Sequence, residues 1–368
     1  MSIPQESEPI SESNLPRPYE DVRQWLELVE SMGELKRING ADWNLEIGTM
    51  AELIYRERSG TIPALLFDRI KGYPEGFRIL FGQQTSYRRL ALMAGLPMDS
   101  VGLKLVSRFK EKLAKLQPIP PRVVKTGPVF ENMMAGDAID ILKFPVPKVH
   151  ELDGGRFIGT ACIAVTRDPE DGWLNLGTYR AMVHDANSVG LFMSSAGKHG
   201  RMHMEKYFKQ GKPCPVVLCV GQDPLLLLAA GNPIELGYSE YDYCGGIRGR
   251  PYDLVEGQVT GLPFPAHAEI AIEGFLHPGD VKPDGPFGEW LGYYGTRMED
   301  TPVLRIERVY YRNDPILCVA RPGRPPTDYS LSKGMIRAAQ VWDRIEKSGL
   351  PNVKGVWSSS PASAASST

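Results

Sequence analysis

The sequence predicts an α+β protein, and three observations carry the prediction. Between about residues 18 and 117, amphipathic helical stripes alternate with short apolar strands. From 118 to 329 the pattern changes to strands separated by Gly/Pro turns, which reads as a barrel or sandwich with helical insertions. One further amphipathic helix fills 330–350. A chain of 368 residues suits two or three such units.

Residues 1–17 are rich in Ser, Glu and Pro and read as a disordered leader. The first helix follows from Val22, Trp25, Leu26, Leu28, Val29 and Met32 at 3.6-residue spacing, with Gly33 as its stop. A strand over Glu34 to Ile38, a helix over Glu46 to Arg58, a strand over Ala64 to Phe67 and a Lys-rich helix from about Val101 complete an N-terminal α/β unit. PIPPRVV (118–124) marks its boundary. Beyond it, strands are expected at Phe157 to Thr166, Pro215 to Val220, Glu269 to Leu276, Val303 to Arg312 and Ile316 to Ala320. Alternation places one face of 303–310 in solvent and makes Glu269 and Glu273 wet positions. Helical insertions fall at about 201–210 and 223–230. Met335, Ile336, Ala339, Val341, Trp342 and Ile345 define the last helix. The Ser/Ala-rich end of 351–368 buries nothing and reads as a truncated or disordered tail.

Composition narrows the partners. The net charge is −2, so the electrostatic footprint of a nucleic-acid binder is missing, and small molecules or proteins are the expected partners. No apolar run approaches membrane-spanning length, and the leader lacks an apolar signal core. Five cysteines without a CxxC pair suit neither a disulfide framework nor a structural zinc site, and a cytoplasmic setting is expected.

Several segments could carry chemistry. Asp284-Gly-Pro-Phe-Gly-Glu289 sets two carboxylates in one glycine-rich turn, either aimed together into a pocket or simply solvated. Arg180, in NLGTYR on or beside a strand, could fix a planar carboxylate or serve in a surface ion pair. His199 and His203 are four apart and could share a helix face on a metal, but no HExxH exists. Glu240 reads as a strand-edge carboxylate, and Gly245-Gly-Ile-Arg-Gly249 as a turn. Trp290, Tyr293 and Tyr294 either hint at an aromatic substrate or belong to the core. No GxSxG elbow supports a nucleophilic hydrolase.

Taken in order, NLGTYRAMVHD (175–185), GKH (197–199), NPIELGYSEYDYCGGIRG (232–249), PAHAEIAIEG (265–274), PDGPFGEWLGYY (283–294) and PGRPPTD (322–328) resemble the UbiD family of reversible decarboxylases that use prenylated FMN (prFMN). The resemblance covers residues 20–357 and implies a central split β-barrel of the flavin reductase-like kind. It implies Arg180, Asp284 and Glu289 as the catalytic network, with Glu289 as proton donor. It further implies Asn175, His199 and Glu240 as ligands of a divalent ion, usually manganese, and allows a monovalent cation such as K+ in addition. Thr178, Tyr179, Arg180, Gly197, Lys198 and His199 would line the flavin, with Ala230, Gly231 and Asn232 nearby. The implied activity is decarboxylation of an aromatic or α,β-unsaturated acid, with a flavin prenyltransferase supplying the cofactor. Relatives continue past GLPNVKGVW as an ordered oligomerising domain, so a homo-oligomer is expected in weakened form. The alternatives are an FMN-dependent flavin reductase-like oxidoreductase, or a truncated inactive paralogue acting as a binding partner.

Overall fold

The computed structural model describes residues 14–57, 61–193, 197–232, 234, 237–289, 293–296, 298–350 and 352–358. Most of the expected leader and tail, and Trp290, therefore lie outside the described residues. The chain is a mixed α+β protein: an N-terminal α/β sheet, a curled antiparallel half-barrel and a C-terminal helix.

Helix α1 (Val22–Ser31) starts because the Asp21 carboxylate accepts the Gln24 backbone N–H, satisfying an end donor. It buries Val22, Trp25, Leu26 and Val29, the stripe the spacing predicts. Helices α2 (Glu46–Arg56), α3 (Tyr87–Ala94) and α4 (Gly102–Ala114) follow. The N-terminal sheet runs Leu35–Asn39, Ala64–Asp68, Arg78–Phe81 and Ile316–Cys318 in that spatial order. Its last strand differs from expectation, because Ile316–Cys318 leaves the barrel region and pairs in parallel with Arg78–Phe81. An apolar strand says that it is buried, not in which sheet.

The large sheet has nine strands, eight of them in the order Phe157–Gly159, Arg180–Asp185, Ser188–Phe192, Glu299–Tyr311, Ile270–Asp284, Cys214–Val220, Cys162–Arg167 and Leu174–Gly177. Asn132–Ala135 is the ninth and pairs with Glu299–Tyr311. Its backbone is the long antiparallel pair 270–284 with 299–311, which ends with Asp284 opposite Glu299. Glu269 and Glu273 are buried rather than wet. Glu269 receives Arg23 through two 2.8 Å bonds and Arg312 at 3.2 Å, while Glu273 accepts from Thr260. Arg23 and Arg312 neutralise Glu269, and Glu273 is met by hydrogen-bond donors of the 259–260 turn, partners that alternation cannot reveal.

Helices α5 (His199–Lys209), α6 (Pro224–Ala230) and α7 (Glu240–Arg248) pack on this sheet, and α8 (Ser330–Lys347) follows it in the chain. The Gly245–Gly246 pair lies inside α7 and not in a turn. A Cβ on either residue would collide with the Ile119 or Gln117 carbonyl, so close approach explains the glycines. Helix α8 packs on α4, where Lys110 bonds Glu346 and lies 4.6 Å over the Trp342 ring. All five cysteines are buried free thiols. Among the described residues no helix is long and apolar enough to cross a membrane.

Candidate active site

Arg180 opens the strand Arg180–Asp185, and Asp284 closes Ile270–Asp284. The two strands converge so that Arg180 Nε lies 2.7 Å from Asp284 Oδ1. Asp284 is fully buried, and burial pushes its pKa up while the Arg180 charge and hydrogen bond pull it down. The guanidinium also lies 3.8 Å over the Phe192 ring, which fixes its plane. Glu289 completes the set with Oε1 3.8 Å from Arg180 Nη1.

The turn bearing both acids is held from outside. Gly288 N–H donates to Asp153 Oδ1 at 2.9 Å, and Gly154 N–H donates to the Pro286 carbonyl at 2.8 Å. A Cβ on Gly154 would strike the Gly285 carbonyl, so a bare backbone is required there.

Arg180 and Glu289 line a cavity of about 430 Å3, within the range of small-molecule sites. Thr178, Tyr179 and Lys198 of the sequence-predicted set also line it. Thr178 Oγ1 has no hydrogen-bond partner among the described residues. The opposite contribution comes from α8 and the segment before it, through Tyr329, Lys333 and Arg337, which sequence reasoning missed. The signal was present: Lys333 and Arg337 are four apart and share a helix face. Burial lowers the Lys333 pKa, and the Arg337 and Lys198 charges lower it further. A cationic wall with an idle hydroxyl suits an anionic, phosphate-bearing ligand.

Gly197 precedes α5 outside this lining. Ala230, Gly231 and Asn232 form the end of α6; the Ala230 carbonyl accepts from Thr178 N at 3.3 Å, and Asn232 Nδ2 caps Leu228 O at 2.6 Å. They brace the strand end instead of lining the cavity.

Asn175, His199 and Glu240 are linked through Tyr179 and Leu176. Glu240 begins α7 instead of edging a strand, and its Oε2 accepts Leu176 N–H at 2.8 Å. The Tyr179 hydroxyl accepts from Asn175 and, at 3.0 Å, from Gly200 N, the residue after His199. Glu240 is buried, burial raises its pKa to about 7, and no Lys or Arg pairs with it among the described residues. That carboxylate, the Asn175 amide oxygen and the His199 imidazole form a donor set whose chemistry fits a divalent cation of manganese type. Three His, Cys, Asp or Glu side chains do not cluster together among the described residues, so any such site depends on Asn175. His203 does not join His199: it is buried, its Nδ1 meets Thr166 Oγ1 at 3.0 Å, and Trp173 stands edge-on to both rings. Tyr293 is exposed and Tyr294 bonds Leu152 N, so neither is core.

Fold and site together define a cofactor-type enzyme cleft, in which one buried Arg–Asp pair and a nearby carboxylate face a cation-lined cavity. The chain belongs to the UbiD family: residues 122–325 match the 3-octaprenyl-4-hydroxybenzoate carboxy-lyase Rift-related domain and 26–109 its N-terminal domain. It is 33% identical over 347 residues to a pyrrole-2-carboxylic acid decarboxylase of Pseudomonas aeruginosa, covering 92% of this chain and 69% of that protein. A phenolic acid decarboxylase of Bacillus subtilis is 31% identical, with 91% and 70% covered. Among solved structures, an evolved dimeric form of the UbiD-class enzyme HmfF from Pelotomaculum thermopropionicum, in complex with prFMN, superposes with TM-score 0.81 at 29% identity, covering 92% of this chain and 75% of that one. The closed form of Sedimentibacter hydroxybenzoicus vanillic acid decarboxylase gives 0.83 at 28% identity, with 92% and 71% covered. The chain is thus a carboxy-lyase homologue of the UbiD class.

Proposed function

We propose that this chain catalyses the reversible, non-oxidative decarboxylation of an aromatic or α,β-unsaturated carboxylic acid with prFMN. The observation that carries the reading is Arg180 held 2.7 Å from buried Asp284, with Glu289 3.8 Å from the same guanidinium, at the wall of the cavity. Relatives that bind prFMN or decarboxylate pyrrole-2-carboxylic and phenolic acids support it.

Bound prFMN supplies the electron sink that takes the pair left when the carbon–carboxylate bond breaks. The chain's residues do the rest. Lys198 and Thr178, at the cavity wall, would hold the cofactor, and Asn175, His199 and Glu240 would hold a divalent ion supplying positive charge to its phosphate. Asp284 fixes the Arg180 guanidinium, and the planar fork orients the substrate carboxylate. Carbon dioxide departs, and Glu289 delivers its carboxyl proton to the carbon that lost it. In carboxylation the same carboxylate accepts the proton. A flavin prenyltransferase supplies the cofactor, and the partner molecule is a small carboxylic acid.

Expression with a flavin prenyltransferase and manganese, followed by a panel of aromatic acids, tests this. Glu289→Gln is expected to abolish carbon dioxide release while leaving flavin content unchanged. Undiminished release would overturn the role of Glu289, and plain FMN with NAD(P)H oxidation would overturn the class of reaction.

A further inference from the structure

A second cavity of about 110 Å3 adjoins the first, and Glu289 and Arg321 line both. Its walls come from α2, through Glu52 and Arg56, from the loop carrying Gly323 and Arg324, and from the turn with Tyr293 and Tyr294. No step of the proposed reaction uses it.

Arg321 is only 1% exposed. Its Nη1 reaches Glu52 Oε2 and the Pro322 carbonyl, both at 3.3 Å. Its Nε and Nη2 have no acceptor among the described residues. Buried donors in native proteins are met by protein, water or ligand, so a guanidinium with two idle nitrogens at a cavity wall is built for something that comes and goes. Gly323 keeps that wall open: a Cβ there would collide with Nη1 and lie 3.0 Å from Nη2.

The charges agree. Among the described lining residues, Arg56, Arg321 and Arg324 stand with Glu52 and Glu289; Glu289 also meets Arg180 at 3.8 Å, and behind the wall the Asp328 carboxylate accepts the Arg321 backbone N–H at 2.9 Å. Of the charged side chains that line the cavity itself, three are arginines and two are glutamates. His150 already spends its Nε2 on the Pro322 carbonyl at 2.6 Å.

We propose that this second cavity is an oxyanion site, anchored by Arg321, that takes a small planar carboxylate. A guanidinium offers parallel donors to two oxygens of one planar group, which selects carboxylate or bicarbonate over a spherical anion. Two sources supply that chemistry: the head of an incoming acid, or bicarbonate in exchange with carbon dioxide. Either deepens the decarboxylase reading by giving the wall of Glu289 a waiting place for a reactant or product.

Anion binding is measured without cofactor, so its outcome is separable from turnover of the prFMN-loaded enzyme. Benzoate and bicarbonate are titrated separately by calorimetry at fixed ionic strength, against wild type, Arg321→Met and Arg180→Met. At least one probe is expected to saturate, with affinity falling about tenfold or more in Arg321→Met and less than twofold in Arg180→Met. Benzoate alone assigns the acid head, and bicarbonate binding assigns the carbon dioxide side. No saturable binding, unchanged affinity in Arg321→Met, or loss in Arg180→Met instead would each overturn the proposal. If Arg321→Met does not fold, Arg56→Gln/Arg324→Gln alters two exposed side chains of the same wall. A fall of less than threefold in that variant overturns it equally.

Discussion

Arg180 Nε and Asp284 Oδ1 stand 2.7 Å apart at the meeting point of two strands whose sequence positions are 104 apart. With Asp284 wholly shut from water, the pair is a fixed charge arrangement and not a surface ion pair. Breaking it from one side leaves an uncompensated charge. Arg180→Ala is expected to destabilise the fold by about 3–5 kcal/mol, the usual cost of orphaning a buried partner. Arg180→Ala/Asp284→Ala should recover part of that loss. Urea unfolding of both variants and of Asp284→Ala measures it, and a double-variant loss equal to the sum of the two single losses would show the groups to be uncoupled.

The donor set of Asn175, His199 and Glu240 predicts metal dependence. Removing the buried carboxylate by Glu240→Gln should cut manganese content at equal free metal by about tenfold or more, a loss at least as large as second-sphere changes cause. Elemental analysis after dialysis reads it. His203→Ala, four residues from His199 but bonded to Thr166, should leave the content unchanged.

The sequence made local periodicity legible and hid long-range partners. The α1 stripe reads directly because Val22, Trp25, Leu26 and Val29 recur at helical spacing and are all buried. Order and identity of six motifs pointed to Arg180, Asp284 and Glu289, which the fold gathers. Spacing alone could not, since a carboxylate in a turn looks the same wet or buried. Strand alternation likewise puts Glu269 on a wet face, because its partner Arg23 lies 246 positions away. Glu240 was placed on a strand because Tyr-Ser-Glu-Tyr has strand-like residues, whereas Ser239 caps the helix by accepting Tyr241 N–H. Arg321 and Lys333 acquire meaning only when the end of the barrel region and α8 come back over the first cavity.

The Asp21, Arg312, Glu269 and Arg23 cluster ties α1 to the large sheet and predicts a pH signature. Burial alone would raise the Asp21 pKa, but hydrogen bonds from His267, the Gln24 backbone and Arg312 hold it well below the usual carboxylate range. An acid depressed by folding contributes stability that is full above its unfolded value near 3.9 and fades as pH falls toward the folded one. Asp21→Asn should therefore lower Tm at pH 6, and the gap to wild type should narrow steadily from pH 4 to pH 2. A gap independent of pH would mean that packing, not charge, is what Asp21 supplies.

Gly154 touches neither cavity, yet its backbone abuts the turn from Asp284 to Glu289. Its N–H donates to the Pro286 carbonyl at 2.8 Å, and an added Cβ would meet the Gly285 carbonyl and sit 3.0 Å from Pro286 N. Those are backbone atoms, so the collision cannot be relieved by a side-chain rotation, and the turn itself must shift. A displacement of that kind moves Glu289 relative to the reacting carbon, where misplacement by about 1 Å costs on the order of a hundredfold in rate. Gly154→Ala is thus expected to lower kcat by at least tenfold, with flavin content unchanged and a stability loss of about 1–3 kcal/mol from overpacking. Gly172→Ala is the matched comparison: that glycine sits in a loop with nothing within 4 Å of the added Cβ. It should lose stability from its positive φ of +80° but keep its kcat. Equal kcat in both variants would mean that the 153–154 loop does not position the acids.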